Sequence, residues 1–397
     1  MNTRLIRKIA IFQIALLLTV TGCKTKPIPQ GLEVSKKDPL LVFVGTYTQK
    51  EGWVDGKAKG VYIYKMDPLT GALNYVATSP NTISPSFVVI HPNKKWLYAA
   101  NELGVDGKIV GTISAFKIDT AKKELIFMNS VSSHGNYTCH VGVDLTGKFV
   151  TAASYGTGTV AVFPIQPDGS LKEASFVDQH KGNGPNKDRQ AGPHAHMLTQ
   201  GFDKRYAYGI DLGIDKIILY QLDTIQGKLI STGKDAIAQP GAGPRQLTFH
   251  PNKKWAYLID ELNGTVVSYT VDYETGILSS FQVISTVEEG KSAEAASADI
   301  HITPSGKYLY ATNRGSVNNI AMYSIDSESG RLQLIGYQST KGKIPRSFAI
   351  DPSGTFLLVA NQNSDNIITF RIDPANGKLL DTGLEAKVPT PVCLKFY

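Results

Sequence analysis

A motif that returns at intervals of roughly fifty residues constrains this chain more than any other feature. It runs as an apolar alternating stretch, a tight turn, an aromatic residue, a second apolar stretch and a polar residue. Phe87-Val-Val-Ile-His-Pro-Asn-Lys-Lys-Trp96-Leu-Tyr-Ala-Ala-Asn101 is its clearest copy, and it returns around Phe149, Tyr206, Trp255, Tyr308 and Phe356. The intervals between these aromatics are 53, 57, 49, 53 and 48 residues. Each copy continues into a third strand, such as Thr265–Val271 or Asn366–Ile372, then a turn such as Asp373-Pro-Ala-Asn-Gly377 and a shorter fourth strand. Period-two alternation, turns rich in Asn, Asp and Gly, and the lack of helical periodicity predict one four-stranded antiparallel sheet per copy. Sheets of that size at that interval are propeller blades.

Six copies are visible, and the ends of the chain supply a seventh. Leu41–Thr48 and Gly60–Met66 read as strands at the start, and 391–397 is a lone β-like stretch at the end. A C-terminal strand that joins the first blade closes the ring and removes its exposed edges. The expected fold is therefore all-β: one seven-bladed β-propeller over residues 40–397, acting as a monomer.

The residues ahead of it read as an address. Arg4, Arg7 and Lys8 precede an apolar run from Ile9 to Val20, which is too short for a lasting membrane span. The run ends on Val20-Thr21-Gly22-Cys23, which resembles a bacterial lipobox. Residues 1–22 are then a lipoprotein signal peptide, Cys23 the lipidated residue, and 23–39, rich in Lys and Pro, a flexible tether. The expectation is an exported protein held on a membrane by its lipid anchor. Removing the leader lowers the formal charge from +7 to +4. Spread over the whole ring, that charge gives no reason to expect nucleic acid, and no basic stripe interleaved with aromatics appears. Cys139 and Cys393 lie far apart in sequence and read as two buried thiols.

The repeat also sorts polar residues by position. Ten residues before each aromatic, at the start of the first strand, stand Ser86, Cys139, His196, Arg245, Ala298 and Arg346. His140 follows Cys139, Gln246 follows Arg245 and Asp299 follows Ala298. Five residues after it stand Asn101, Ser154, Asp211, Asp260, Asn313 and Asn361, followed by Glu102, Tyr155, Leu212, Glu261, Arg314 and Gln362. The two strands are antiparallel neighbours, so the start of one and the end of the other share a face of the ring. Both rows are expected to converge at one mouth of the central channel, bringing His194, His196, Arg245, Asp299, Glu261, Arg314 and Arg346 together. The uniform Asn/Asp/Ser row suits turn bonding, whereas residues that differ between blades suit a site. His91 and His250, in His-Pro-Asn turns at the other end, read as structural, and His301 as a packed histidine.

Several segments resemble the bacterial 6-phosphogluconolactonase family of seven-bladed propellers. They are Gly192-Pro-His-Ala-His196 with Arg189-Gln190 ahead of it, Asp211-Leu-Gly-Ile-Asp215, Gly243-Pro-Arg245, Glu261-Leu262, Asn313-Arg-Gly315, Ala360-Asn-Gln-Asn-Ser-Asp365 and Val44-Gly-Thr-Tyr47. The fungal 3-carboxymuconate lactonizing enzymes resemble the same scaffold. The resemblance implies lactone chemistry without metal or cofactor, with His196 or His194, Arg245, Glu261 and Arg314 in catalytic roles. The family usually reads Gly-Pro-Arg-His, whereas Gln246 stands here, which can hydrogen-bond but cannot titrate.

Opening a lactone needs a base for the attacking water, a donor for the oxyanion and a proton for the departing ring oxygen. The expectation is that His196 or Glu261 accepts the proton and Arg245 polarises the carbonyl. His194, His140, Arg346, Gln246 and Asp299 would bind substrate, with Arg314 and Arg346 suited to a phosphate or carboxylate. No Ser-His-Asp set or nucleophile elbow is evident. Three alternatives stand beside this one: a lactonizing cycloisomerase, a calcium-dependent lactonase built on Glu102, Asp211, Asp260 and Asn313, and a non-catalytic propeller that binds a glycan or protein. The lipobox argues for an unphosphorylated sugar lactone, because an exported enzyme would not meet a cytosolic phosphate ester.

Overall fold

The structure, a computed structural model, describes residues 38–397 except Trp53, Pro80, Asn81, Val105, Asp106 and Lys108. The leader, Cys23 and the tether up to residue 37 lie outside the described residues. Among those described, no helix is long and apolar enough to cross a membrane.

Seven four-stranded antiparallel sheets follow one another around a ring. Blade 1 is made of Pro391–Phe396, Leu40–Thr46, Val61–Met66 and Leu73–Ser79, in that order outwards. The C-terminal strand is thus its innermost strand, paired antiparallel with Leu40–Thr46. The other innermost strands are Pro85–Ile90, Thr138–Val143, Ala195–Gln200, Pro244–Phe249, Ser297–Ile302 and Pro345–Ile350, for blades 2 to 7. Each touches the next, and the strand of blade 1 touches those of blades 7 and 2, so the cycle is complete. Blade 4 carries a short extra strand, Ala236–Ile237, and a two-stranded hairpin, Lys50–Glu51 with Val54–Asp55, is inserted in blade 1. The sequence pattern had not marked that hairpin, because its strands are too short to show alternation.

The recurring aromatic has a physical reason. In each copy its ring lies on a glycine in the last turn of the following blade: Trp96 on Gly169, Phe149 on Gly227, Tyr206 on Gly276, Trp255 on Gly330, Tyr308 on Gly377 and Phe356 on Gly71. A Cβ on any of these glycines would come within 2.3–2.7 Å of the ring, and every one has positive φ. Only glycine meets both demands. The last of these pairs crosses from blade 7 to blade 1, so that junction is sealed by the same contact as five others. A tyrosine two residues further on repeats the lock in four blades. Tyr98, Tyr208, Tyr257 and Tyr310 donate to the carbonyls of Gly169, Gly276, Gly330 and Gly377 at 2.8–3.0 Å.

His91 and His250 bond to Gly147 O and Gly306 O in the next blade and accept from Asn93 N and Asn252 N, as structural fasteners do. Cys139 and Cys393 are buried free thiols. The Asn/Asp/Ser row is also spent within or between blades: Asn101 on Thr82, Thr112 and Ser114, Ser154 on Thr138, and Asn313 on Thr286, Ser297 and Asn319.

Candidate active site

Every innermost strand carries a β-bulge at the same place. The ladder skips one residue between Pro85 and Phe87, Thr138 and His140, Ala195 and Met197, Pro244 and Gln246, and Pro345 and Ser347. It shifts likewise between Ser297 and Ile300, and opposite the step from Pro391 to Cys393 in blade 1. Bulges bend a strand and re-aim the extra side chain. The extra residues are Ser86, Cys139, His196, Arg245, Arg346 and Val392, with Ala298 in blade 6. Val392 apart, this is the row found ten residues before each aromatic, and five of its members together with Val392 surround a constriction of only about 10 Å³.

The constriction divides the channel. Above it opens a cavity of about 550 Å³, lined by His194, His196, Tyr155, Arg189, Glu261, Arg314, Arg346, Glu102 and Tyr137, among others. Below it lies a chamber of about 290 Å³ that contains His140, Gln246, Asp299 and His301. His140, Gln246 and Asp299, expected to bind substrate at the mouth, therefore do not reach it. Each stands one residue past its bulge and falls on the far side of the ring. Asp299 contacts His301 at 3.2 Å and accepts from the Phe348 and Ile300 amides, and burial pushes His140 down to about 3.

Pleating moves the second row by one residue as well. The position five after the aromatic turns into the blade, and the position six after it, with Glu102, Tyr155, Glu261 and Arg314, faces the cavity. The calcium alternative fails on the same geometry. Asp211 is bonded to His180 at 2.6 Å, Asp260 to Thr265, and Asn313 to its own blade, so their oxygens do not converge with those of Glu102.

Glu261 is the centre of charge. Arg189 Nη2 donates to its Oε1 at 2.6 Å, while Arg245 Nε and Arg314 Nη2 donate to Oε2 at 2.9 and 2.7 Å. Burial pushes its carboxyl up, but Arg314, Arg245 and Arg189 outweigh that and hold it well below the usual carboxylate range. Arg245 is 2% exposed and also donates to Ala298 O. Burial, with Arg314 and Arg346 nearby, lowers its pKa to about 10. It forms part of the constriction rather than the wall of the upper cavity. The expected role for Arg245, polarising a carbonyl, does not suit that place, whereas holding Glu261 does.

The two histidines differ. The His194 ring stacks on Tyr155 with centroids 4.4 Å apart, and its Nδ1 lies 2.7 Å from Tyr155 O. A carbonyl only accepts, so Nδ1 carries the proton and Nε2 is left as the acceptor of the neutral ring. Its backbone amide donates to Asp211 Oδ1 at 2.7 Å, which fixes the segment. His196 is buried, its Nδ1 has no partner among the described residues, and burial, Arg245 and Arg346 drive its pKa well below 6.5. That makes it a poor base.

Arg189, Tyr155, Glu102, Tyr47 and Tyr137 complete the site; the sequence offered Glu102 only as a ligand in the calcium alternative and did not pick out the other four as site residues. Arg189 comes from the loop between blades 3 and 4, which the fully buried Gln190 anchors through Leu212 O and Asp215. Opposite Glu261 across the mouth stands Glu102, which accepts from Tyr47 Oη at 2.7 Å and lies 3.5 Å from Arg346 Nη2.

Such a ring, with its arginine-wrapped glutamate and stacked histidine at one mouth, is the architecture of a propeller hydrolase. The chain belongs to the family described as lactonase, 7-bladed beta-propeller, whose model matches residues 41–396. It is 35% identical over 354 residues to the 6-phosphogluconolactonase of Bacillus subtilis, covering 89% of this chain and 97% of that one. The 6-phosphogluconolactonase of Formosa agariphila is 35% identical over 342 residues, covering 85% and 94%. Among solved structures, the periplasmic gluconolactonase of Pseudomonas aeruginosa superposes with a TM-score of 0.84 at 29% identity, covering 90% of this chain and 99% of that one.

Proposed function

We propose that this protein is a lactone hydrolase that opens a sugar lactone to its aldonic acid in the upper cavity. The observation that carries the mechanism is the His194–Tyr155 bond, which leaves an imidazole acceptor on the wall of a cavity edged by guanidinium groups. His194 Nε2 takes a proton from water as the water oxygen attacks the lactone carbonyl carbon. Arg314, with Arg189 beside it, donates to the oxygen that becomes negative. The bond from that carbon to the ring oxygen then breaks, and the imidazolium returns its proton to the departing oxygen. General base assistance of this kind is worth about 10²–10⁴-fold, and an oxyanion donor about 10²–10³-fold. Glu261 keeps three arginines in place, and Arg245 acts through Glu261. The family membership and the curated relatives support the reaction class.

Hydrolysis of freshly made D-glucono-1,5-lactone and its 6-phosphate, with spontaneous opening subtracted, tests this reading on the chain from residue 24. Turnover that collapses in His194→Asn and Arg314→Ala, both folded, is the expected result. Wild type at the spontaneous rate on both lactones overturns it and favours a binding propeller.

The leader and lipobox support an exported, lipid-anchored enzyme, and one structural relative is described as periplasmic. Cys23→Ala in the full chain should abolish labelling by radioactive palmitate and release the protein from membranes.

A further inference from the structure

Two poles face each other across the upper cavity. Blades 4, 5 and 6 supply His194, Glu261 and Arg314, the reacting pole. Blades 7, 1, 2 and 3 supply Arg346, Tyr47, Glu102 and Tyr137. The second pole is not a cationic receptor. Its guanidinium faces the carboxylate of Glu102, and no lysine among the described residues lines the cavity. At the reacting pole all three arginines share Glu261. Among the described residues, a phosphate dianion entering this space would meet two buried carboxylates and arginines already engaged by them.

A hydroxyl would meet something different. Among the described residues, Glu102 Oε1 has only the long 3.5 Å contact to Arg346, and Glu102 lines the cavity where a ligand's donor could meet it. Tyr137 Oη is buried, lines the same cavity and has no hydrogen-bond partner among the described residues. Leaving a buried hydroxyl unpaired costs free energy that a ligand oxygen could recover. Tyr137 is also held at φ 53°, in the left-handed region that aromatic residues rarely adopt, by amide bonds from Tyr137 N to Leu103 O and from Tyr155 N to Tyr137 O. Strain retained at a cavity wall marks a residue kept for what its side chain presents.

We infer that Glu102 and Tyr137 form a hydroxyl-reading pole that makes this enzyme select unphosphorylated aldonolactones and reject their phosphate esters. The inference rests on the lactonase reading. Glu102 accepts from a sugar hydroxyl, Tyr137 donates to a neighbouring one, and the Glu102 charge repels a phosphate placed there.

The test compares wild type, Glu102→Gln and Tyr137→Phe on D-glucono-1,5-lactone and its 6-phosphate, with thermal melts to show that each variant folds. Calorimetric titration with the two matching lactams, which keep the ring but resist hydrolysis, runs alongside. Wild type should favour the unphosphorylated lactone by at least about tenfold in kcat/KM, and Glu102→Gln should narrow that ratio by about tenfold, as loss of one nearby charge predicts. Tyr137→Phe should raise KM for the unphosphorylated lactone by about fivefold, the worth of one hydrogen bond. A wild type that takes the phosphate ester equally well, or a ratio that Glu102→Gln leaves unmoved, overturns the pole. Lactam discrimination without turnover would sink the hydrolysis reading and keep the pole, whereas turnover without discrimination would do the reverse.

Discussion

Replacing Glu261 by Gln leaves the shape of the side chain and removes the charge that three guanidinium groups share. Arg245, at 2% exposure, has no access to solvent once its partner is neutral, and Arg314 is nearly as enclosed at 10%. Breaking a buried pair by removing one partner costs about 3–5 kcal/mol. The Arg189 contact belongs to another regime, because that side chain is 43% exposed and water can replace the carboxylate. Its removal should cost no more than about 1 kcal/mol. With an unfolding entropy of roughly 2 cal/mol/K per residue, a ring of this size should lose about 4–6 °C of Tm in Glu261→Gln, and about 1 °C in Arg189→Ala. The gap between wild type and Glu261→Gln should also depend on pH. The folded-state pKa of Glu261 lies below its unfolded value, so its stabilisation is complete above that unfolded value of about 4.3 and fades as pH falls towards the folded one. Calorimetric melts at pH 7, 5 and 3 read all of this. The reasoning fails if Arg189→Ala costs as much as Glu261→Gln, or if the gap between wild type and Glu261→Gln narrows already between pH 7 and 5.

His194→Asn should lower kcat/KM by about 10²–10⁴-fold with little change in stability, measured on the better of the two lactones. The carbon-bound ring protons of His196 should hold their NMR shifts from pH 8 to pH 5, because burial, Arg245 and Arg346 keep that imidazole neutral; titration near 6.5 would contradict this. Cys139, whose thiol burial pushes up to about 12 with Glu102 adding to the effect, should not react with a thiol reagent at pH 8 until the chain from residue 24 is unfolded. Deleting residues 391–397 removes Val392, Cys393 and Leu394 from full burial, at about 1.5–3 kcal/mol for each of the two aliphatic side chains, and reopens a strand edge. Size-exclusion chromatography should then show aggregate in place of the folded wild-type species.

The ring was legible because its cause repeats. An aromatic that must meet a glycine in the next blade leaves the same mark six times, and Thr265–Val271 and Asn366–Ile372 begin and end where the alternation does. The seam was legible because an unpaired strand at each end of a closed sheet has one place to go. The site was legible only to within a residue. A bulge is a matter of pairing register, which one strand's sequence does not display, and it decides that His196, Arg245 and Arg346 ring the constriction while His140, Gln246 and Asp299 drop beneath it. The pleat then put Glu102 and Glu261, not Asn101 and Asp260, on the cavity wall. Arg189 and Tyr137 sit on irregular loops, outside the repeat that placed everything else. Only Arg189 left a trace, as a neighbour of the histidine motif.

The same repeat explains how one ring can hold two poles. Glu102 and Glu261 occupy equivalent positions, six residues after the aromatics of blades 2 and 5, so the scaffold presents both carboxylates to the cavity by one local device. What differs is the company that neighbouring blades supply. Around Glu261 stand three guanidinium groups, with the stacked imidazole of His194 on the same side, and these can move a proton and hold an oxyanion. Glu102 keeps one arginine and two phenols, a set suited to binding hydroxyls, without the stacked imidazole that stands beside Glu261. Because the aromatic–glycine seams and the Asn/Asp/Ser row carry the fold, either pole can change without the blade that bears it losing its place. Substrate choice and chemistry are therefore separable in this architecture, and substitutions at Glu102 or Tyr137 should move the choice between lactones while His194 and Arg314 set the rate.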